Sequence, residues 1–412
     1  MKKLLILGGA DIQISAIKAA KRLGYYVITC DYSPENPGHQ YSDEYFNVST
    51  TDIDGVLSIA RRLKIDGISS YASDPGAVTA AFVSEQLGIP GNPLESIRIL
   101  SNKLTFRSTQ RQLRLPYPNF YEVSSPQQVA KIISSTNGEY FLKPVDASGS
   151  KGITILNNVS TRDGIETIVK AFHGSLKHSR SKGAVLEEHL VKKGFLVSGD
   201  FLIQDGEILF ACFGDVHFNT RVNGLVPRSI SLPTTKDNNF LRKAIDDLQI
   251  LVSALNIRNG VFNADVIESP SGAPVIIDVG ARNGGNMFND IIFYHSGVNL
   301  IELSLRQCIG EPIGDIVINL DRGCFAHNVI HSEADGYFDR LEMSKLIESL
   351  LIYKKLNVKS GDKIYRFVDS SFRLGLILLH FENQNQMHNI LENIDSHVKV
   401  NLKAKIEFSN DI

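Results

Sequence analysis

The chain has 412 residues, 43% of them hydrophobic, which is enough material for several cores and too much for a disordered tail. Charge nearly cancels, with 43 Lys and Arg against 45 Asp and Glu, so there is no overall positive field for nucleic acid or an anionic membrane, and an anion must be held locally. The longest apolar runs fall far short of the ~20 residues of a membrane helix. Cys30, Cys212, Cys308 and Cys324 form no CxxC pair, which argues against a disulfide framework and a thiolate zinc site.

Met1-Lys2-Lys3 and the following leucines resemble a signal peptide only until Gly8, Gly9 and Asp11 break the apolar run, so the expected location is the cytoplasm. Residues 2–90 alternate β-rich runs with helical patterns, the signature of a parallel sheet wound with helices. The pattern predicts strands at 3–7, 26–30 and 67–70 and helices at 12–23, 53–63 and 77–87. Gly8 and Gly9 follow the first strand, but the GxGxxG of a dinucleotide site is absent, which leaves an NAD-dependent oxidoreductase as a distant third reading. The breaker cluster Ile89-Pro90-Gly91-Asn92-Pro93 places the first boundary near residue 92.

A helix is predicted over 96–113, then strands at 140–143, 153–156, 184–188, 196–203, 208–213, 261–267 and 274–279 with helices at 126–134, 162–172 and 240–255. The polar, basic stretch 173–183 reads as a solvated loop, and 215–233 as a long connection through Pro227 and Arg228. From Gly310 a third region mixes strands at 324–331, 363–367, 375–381 and 398–408 with a helix at 385–394. The expected domains are 1–92, 93–309 and 310–412, the last completing the catalytic lobe.

The chemistry is concentrated in a few segments. At Lys143-Pro144-Val145-Asp146-Ala147-Ser148-Gly149-Ser150-Lys151-Gly152 a strand delivers a lysine into a small polar loop, which gives polyphosphate a fixed cation and a cover of backbone N–H groups. It is not a Walker A loop. Glu187-Glu188-His189-Leu190 ends a β-rich run whose main chain can read an adenine edge. Asp265 and Asp278 lie on two strands joined by a turn at 269–272, so both carboxylates can converge on one hard cation, and Arg282 and Asn283 follow directly. Arg221 and Arg228 are candidates for a substrate carboxylate. Cys324 and His327 point to opposite faces of a strand, which argues against a metal cluster with His331.

Taken in order, these segments resemble the ATP-grasp superfamily, in particular carboxylate–amine ligases related to biotin carboxylase and the purine-pathway enzymes, over about residues 1–380. Ser101-Asn102-Lys103 is similar to the family's phosphate-contacting lysine segment. The resemblance implies an α/β fold: an N-terminal parallel-sheet domain, a central ATP-grasp domain of two α+β lobes and a small C-terminal α+β region. It implies ATP with Mg2+ or Mn2+ as cofactors, and a reaction in which a small carboxylate becomes an acyl phosphate and is joined to an amine, with ADP and phosphate released. Lys103, Lys143, Ser148, Gly149, Ser150 and Gly152 would hold phosphates, the hinge at 187–190 the adenine, Asp265 and Asp278 the metal, and Arg282 the transferring group and the acyl phosphate, with Arg282 and Asn283 also candidates for the substrate and Asn283 for a further metal contact. Small-molecule partners are implied, with no nucleic acid and no membrane, and a homodimer is compatible.

The sequence departs from the family at two places. Gly194 stands where a ribose-binding acid is usual, and Asp278-Val279-Gly280 replaces Glu-x-Asn, losing one magnesium ligand. These departures keep open an alternative, a catalytically impaired ATP-binding regulator.

Overall fold

A computed structural model of the chain describes residues 1–136, 138–157, 161–320 and 322–403. Four parallel strands, β1 (Lys3–Leu7), β2 (Tyr26–Cys30), β3 (Glu44–Phe46) and β4 (Gly67–Ser69), form a sheet in the order β3-β2-β1-β4. Leu4 and Ile6 pack against helices Ile14–Arg22 and Leu300–Ile309, while Leu5 and Leu7 pack against helix Ile53–Leu63 on the other face. Two covered faces are why this strand reads as unbroken hydrophobic sequence. Helix Asp74–Leu87 begins three residues before the predicted start because Pro75 occupies its first turn, where its missing N–H costs nothing.

The helix expected over 96–113 is two helices, Leu94–Leu100 and Lys103–Gln112. The Asn102 side chain accepts from the Leu104 and Thr105 amides at 3.0 and 3.4 Å, so it starts a new helix and sets Lys103 in its first turn.

The next sheet carries the glycine-rich loop. β5 (Phe120–Val123), β6 (Tyr140–Pro144), β7 (Thr154–Leu156) and β8 (Ala184–Glu188) are antiparallel in the order β5-β8-β6-β7, under helices Pro126–Thr136 and Arg162–His178. The expected loop 173–183 is corrected: the second helix runs on to His178, with Ser175 fully buried and bonded to the Gly152 carbonyl at 2.8 Å. Its basic residues line the outer side of a helix C-terminus, where the dipole favours cations.

The large sheet has eight strands in the order β13-β12-β9-β10-β11-β14-β18-β16. They are β9 (Leu196–Gln204), β10 (Glu207–Asn219), β11 (Asn223–Leu232), β12 (Gly260–Glu268), β13 (Pro274–Gly280), β14 (Cys324–Ile330), β16 (Leu351–Leu356) and β18 (Gly375–Phe381). Helix Asn238–Ala254 covers one face with Phe201, Phe262 and Ile276, and helix Phe288–Ser296 covers the other with Leu202 and Val261. The segment 215–233 is not a connection but most of the β10–β11 hairpin. A three-stranded sheet, β17 (Lys363–Ile364), β15 (Gly336–Met343) and β19 (Val398–Lys403), closes the C-terminal region. The strand predicted at 363–367 thus shrinks to β17, and 404–408 of the strand predicted at 398–408 lie outside the described residues. Among the described residues no helix is long and apolar enough to cross a membrane.

Candidate active site

The glycine loop and the large sheet face each other across a cleft lined by Asp74, Ser101, Lys103, residues 146–148, Arg180 and residues 278–281. The loop turns through left-handed backbone at Gly149, Ser150 and Gly152. A side chain at 149 would also run into Ser370, so glycine is needed there twice over. Lys103 holds the loop from beneath: its amide donates to the Val145 carbonyl at 2.8 Å and its Nζ to the Ala147 carbonyl at 3.0 Å. Asp146 ties the loop to 179–181 by accepting from Ser179 Oγ and the Arg180 and Ser181 amides at 2.8 to 2.9 Å.

Lys143 is buried, and its Nζ donates to Glu187 Oε2 at 2.6 Å. The other Glu187 oxygen accepts from the fully buried Arg107 at 3.0 Å. Burial by itself raises the Glu187 pKa, but Arg107 and then Lys143 outweigh it and hold it down at about 2. Burial, with Arg107 and Lys103 nearby, pushes the Lys143 ammonium below its usual range even though Glu187 supports it. Arg107 also reaches the Ile277 carbonyl at 2.6 Å, and Gln110 the Ile276 carbonyl at 2.9 Å, so this helix pins the glycine-loop lobe to β13. At the hinge, the Glu188 and His189 amides donate to the Asn119 and Glu139 carbonyls.

Asp265 and Asp278 are direct cross-strand partners between β12 and β13, across a hairpin closed at Ser269 and Ala273. Burial, then Asp278, pushes Asp265 up to about 6 against the opposing pull of the Ser198 hydroxyl and Arg282. Two close carboxylates of which one resists ionisation fit a divalent cation. Behind them the fully buried Asp200 accepts from the Gly284 amide at 2.7 Å, Asn289 at 2.6 Å and Asn263 at 2.8 Å, and Asn283 donates to Asn289 at 2.9 Å. This network fixes the turn that carries Arg282. Among the described residues no group of three or more His, Cys, Asp or Glu side chains is placed to hold a metal ion, at this pair or elsewhere.

No protein-family profile matches the chain. In sequence it is similar to the uncharacterized protein y4rH of Sinorhizobium fredii, 24% identical over 391 residues, covering 92% of this chain and 78% of that one. It is also similar to the L-arginine-specific L-amino acid ligase of Bacillus subtilis, 20% identical over 343 residues, covering 82% and 80%. A formate-dependent phosphoribosylglycinamide formyltransferase of Prochlorococcus marinus is 26% identical over 193 residues, which is 46% of this chain and 48% of that protein. Among solved structures, an L-amino acid ligase from Bacillus licheniformis superposes with a TM-score of 0.78 at 19% identity over 98% of this chain and 99% of that one. A phosphoribosylglycinamide synthetase from Anaerococcus prevotii does so with a TM-score of 0.74 at 18% identity over 98% and 100%. The chain has the ATP-grasp fold. Its structural neighbours are ATP-grasp ligases.

Within the ATP-grasp frame, the two sequence departures have distinct surroundings. Gly194 is left-handed (φ 68°), and a side chain there would meet Lys236 Nζ, which with Lys193 pairs with Glu268. At Gly280 a Cβ would lie 2.9 Å from Arg282 Cζ and 3.0 Å from Asp74 Oδ1. Arg221 and Arg228 are not brought to this cleft: both pair with Asp395 at 2.8 Å, and Arg228 also donates to the Leu391 carbonyl. A bulge opposite His217 and Phe218 turns Arg228 toward the C-terminal helices, which pack on Ala326 and Ile330 of β14.

Sequence reasoning missed Arg107, Asp74 and Asp200. Arg107 lies four residues after Lys103 on one helix, and that spacing was its one visible signal. Asp74 lies before the helix expected at 77–87 and Asp200 inside the strand expected at 196–203, and only the tertiary fold shows their partners.

Proposed function

We propose that this ATP-grasp protein is an ADP-forming ligase that activates a small carboxylate as an acyl phosphate and joins it to an amine or similar nucleophile. The observation that carries the reading is the meeting of Lys103, the glycine loop at 146–148 and Asp278 in one cleft, with Asp265 opposite Asp278 and Arg282 paired to Asp74 of the cleft wall. Phosphoryl transfer needs positioning and charge neutralisation more than covalent help, and these residues supply both.

In this reading Lys103 and Lys143 hold phosphate oxygens, and Ser148, Gly149, Ser150 and Gly152 close over them. The hinge 187–190 takes adenine by its main chain, because the Glu187 side chain is consumed as the counter-ion of Lys143 and Arg107. Asp265 and Asp278 would hold Mg2+ or Mn2+. When bound, such an ion neutralises charge on the phosphate oxygens. A substrate carboxylate oxygen attacks the γ-phosphorus, the bond to ADP breaks, and Arg282 steadies the transferring group and then the acyl phosphate. The nucleophile displaces phosphate and gives up its proton. The names of the relatives point to amino acids and other small amines and carboxylates as the panel to try.

The test is ADP formation across that panel, with the carboxylate labelled with heavy oxygen. One labelled oxygen must appear in the released phosphate, and label in AMP or nowhere overturns the reading. The loss of a metal ligand at Gly280 favours the second reading, an ATP-binding regulator, which predicts ATP binding with no ADP from any substrate pair.

A further inference from the structure

Arg282 does not present its guanidinium freely to the cleft. Asp74, in the first turn of helix Asp74–Leu87, covers one edge of it: Oδ2 accepts from Nη2 at 2.9 Å, and Oδ1 lies 2.8 Å from Nε as an ion-pair contact, outside hydrogen-bond geometry. Nη1 is turned to the Asn283 carbonyl at 3.3 Å. Ser148 of the glycine loop and Lys103 line the cleft beside the same Asp74 carboxylate and, after Arg282, favour its charged form. One carboxylate from the N-terminal unit therefore sits among three groups, from three different elements, that the ligase reading assigns to anions.

The edge that Asp74 fills is the planar fork by which a guanidinium binds a carboxylate or phosphoryl group two oxygens at a time. Gly280 supplies an independent observation. It is not one of the positive-φ glycines, so its backbone does not require glycine, yet a Cβ there would press on both Arg282 and Asp74. The missing side chain at 280 makes the space in which the pair sits. The same position is where the sequence departs from the family's asparagine.

We propose that Asp74 is a counter-ion gate that withholds Arg282 from the transferring phosphoryl group until a substrate oxyanion displaces it. The proposal rests on the ligase reading and extends it to how idle turnover is avoided. In the idle reaction water attacks the γ-phosphorus, the bond to ADP breaks, and ADP, phosphate and a proton are released. Water carries no charge to exchange for Asp74, so Arg282 stays occupied and that route lacks its charge stabilisation. A substrate carboxylate competes for the same fork, and its arrival releases Arg282 to the reaction.

The test uses the full-length protein as wild type, Asp74→Asn and Asp74→Ala, with two readouts: ADP released from Mg2+-ATP alone, and binding of inorganic phosphate by calorimetry. The gate predicts that both variants release ADP about tenfold faster than wild type without a second substrate and bind phosphate about tenfold more tightly, as expected for freeing a charge-assisted site. Asp74→Asn keeps the shape of the helix start should Asp74→Ala fold poorly. Glu311→Gln, which removes the charge that Tyr25 and Arg306 share elsewhere between the N-terminal unit and the segment after helix Leu300–Ile309, should change neither readout. An unchanged or slower idle rate with ATP binding intact overturns the gate and leaves the ligase reading standing. A rise shared by Glu311→Gln overturns it too, by tracing the effect to looser packing. Failure of wild type to bind ATP sinks the ligase reading, and the phosphate readout then still decides whether Asp74 blocks an anion seat.

Discussion

Replacing Glu187 by Gln removes one charge from the cleft with almost no change in shape, and its cost follows from the geometry. Glu187 is 1% exposed and lies between Lys143 at 2.6 Å and Arg107 at 3.0 Å. The gap between an ordinary 4.5 and a folded value of about 2 corresponds to about 3 kcal/mol at neutral pH. Lys143 moves the unfavourable way, because burial outweighs its partner, so the triad as a whole is worth less than that figure. Breaking it is different from never having built it: Glu187→Gln leaves two buried cations facing each other, and a loss of about 3 kcal/mol is expected. The folded pKa is depressed, so the stabilisation is full above about 4.5 and fades as pH falls toward about 2. The deficit of the variant should therefore shrink to about half at pH 3. The chain has no Trp and 13 Tyr, so urea unfolding at pH 7 and pH 3 can be followed by far-UV circular dichroism and tyrosine fluorescence. A deficit under about 1 kcal/mol at pH 7, or one that does not shrink in acid, would refute the argument.

Asp265 should behave in the opposite sense. Its folded pKa of about 6 lies above its ordinary 3.8, so its contribution is full below about 3.8 and lost as pH rises through about 6. Added Mg2+ should reverse that loss, raising the melting temperature more at pH 7 than at pH 5, and an equal effect at both would contradict a metal role. Arg282→Ala should cut substrate-driven ADP formation by about a hundredfold or more while changing the ATP dissociation constant only a few-fold; parallel losses in both would make Arg282 an ordinary binding residue. With Gly194 in place of an acid, ATP and 2′-deoxy-ATP should turn over at similar kcat/KM, and a large preference for ATP would show that another side chain holds the ribose.

The sequence was most legible where one local rule governed. The strands Tyr26–Cys30, Ala184–Glu188 and Gly375–Phe381 and the helix Ile53–Leu63 match their expected ranges, because composition and flanking breakers set them. Asp265 and Asp278 were legible as a pair because a hairpin's register follows from its turn. Legibility failed where a tertiary partner changed the meaning of a residue. The polar stretch after His173 stays helical because Ser175 finds a buried partner in Gly152. Arg228 faces away from the cleft because of a bulge. Glu187 looked like part of an adenine hinge and is a buried counter-ion, since Arg107, eighty residues earlier in the chain, reaches it through the fold.

The reach of Arg107 and Gln110 to the carbonyls of Ile276 and Ile277 bears on assembly. β13 is the terminal strand of the eight-stranded sheet, and a terminal strand exposes a row of unpaired backbone groups on which a foreign strand can be templated. Here the guanidinium and the carboxamide plug those acceptors along the middle of the strand. Growth of this sheet by strand addition is thereby blocked at the rim beside Asp265 and Asp278, which leaves β16 as the one rim of this sheet on which a strand can be added.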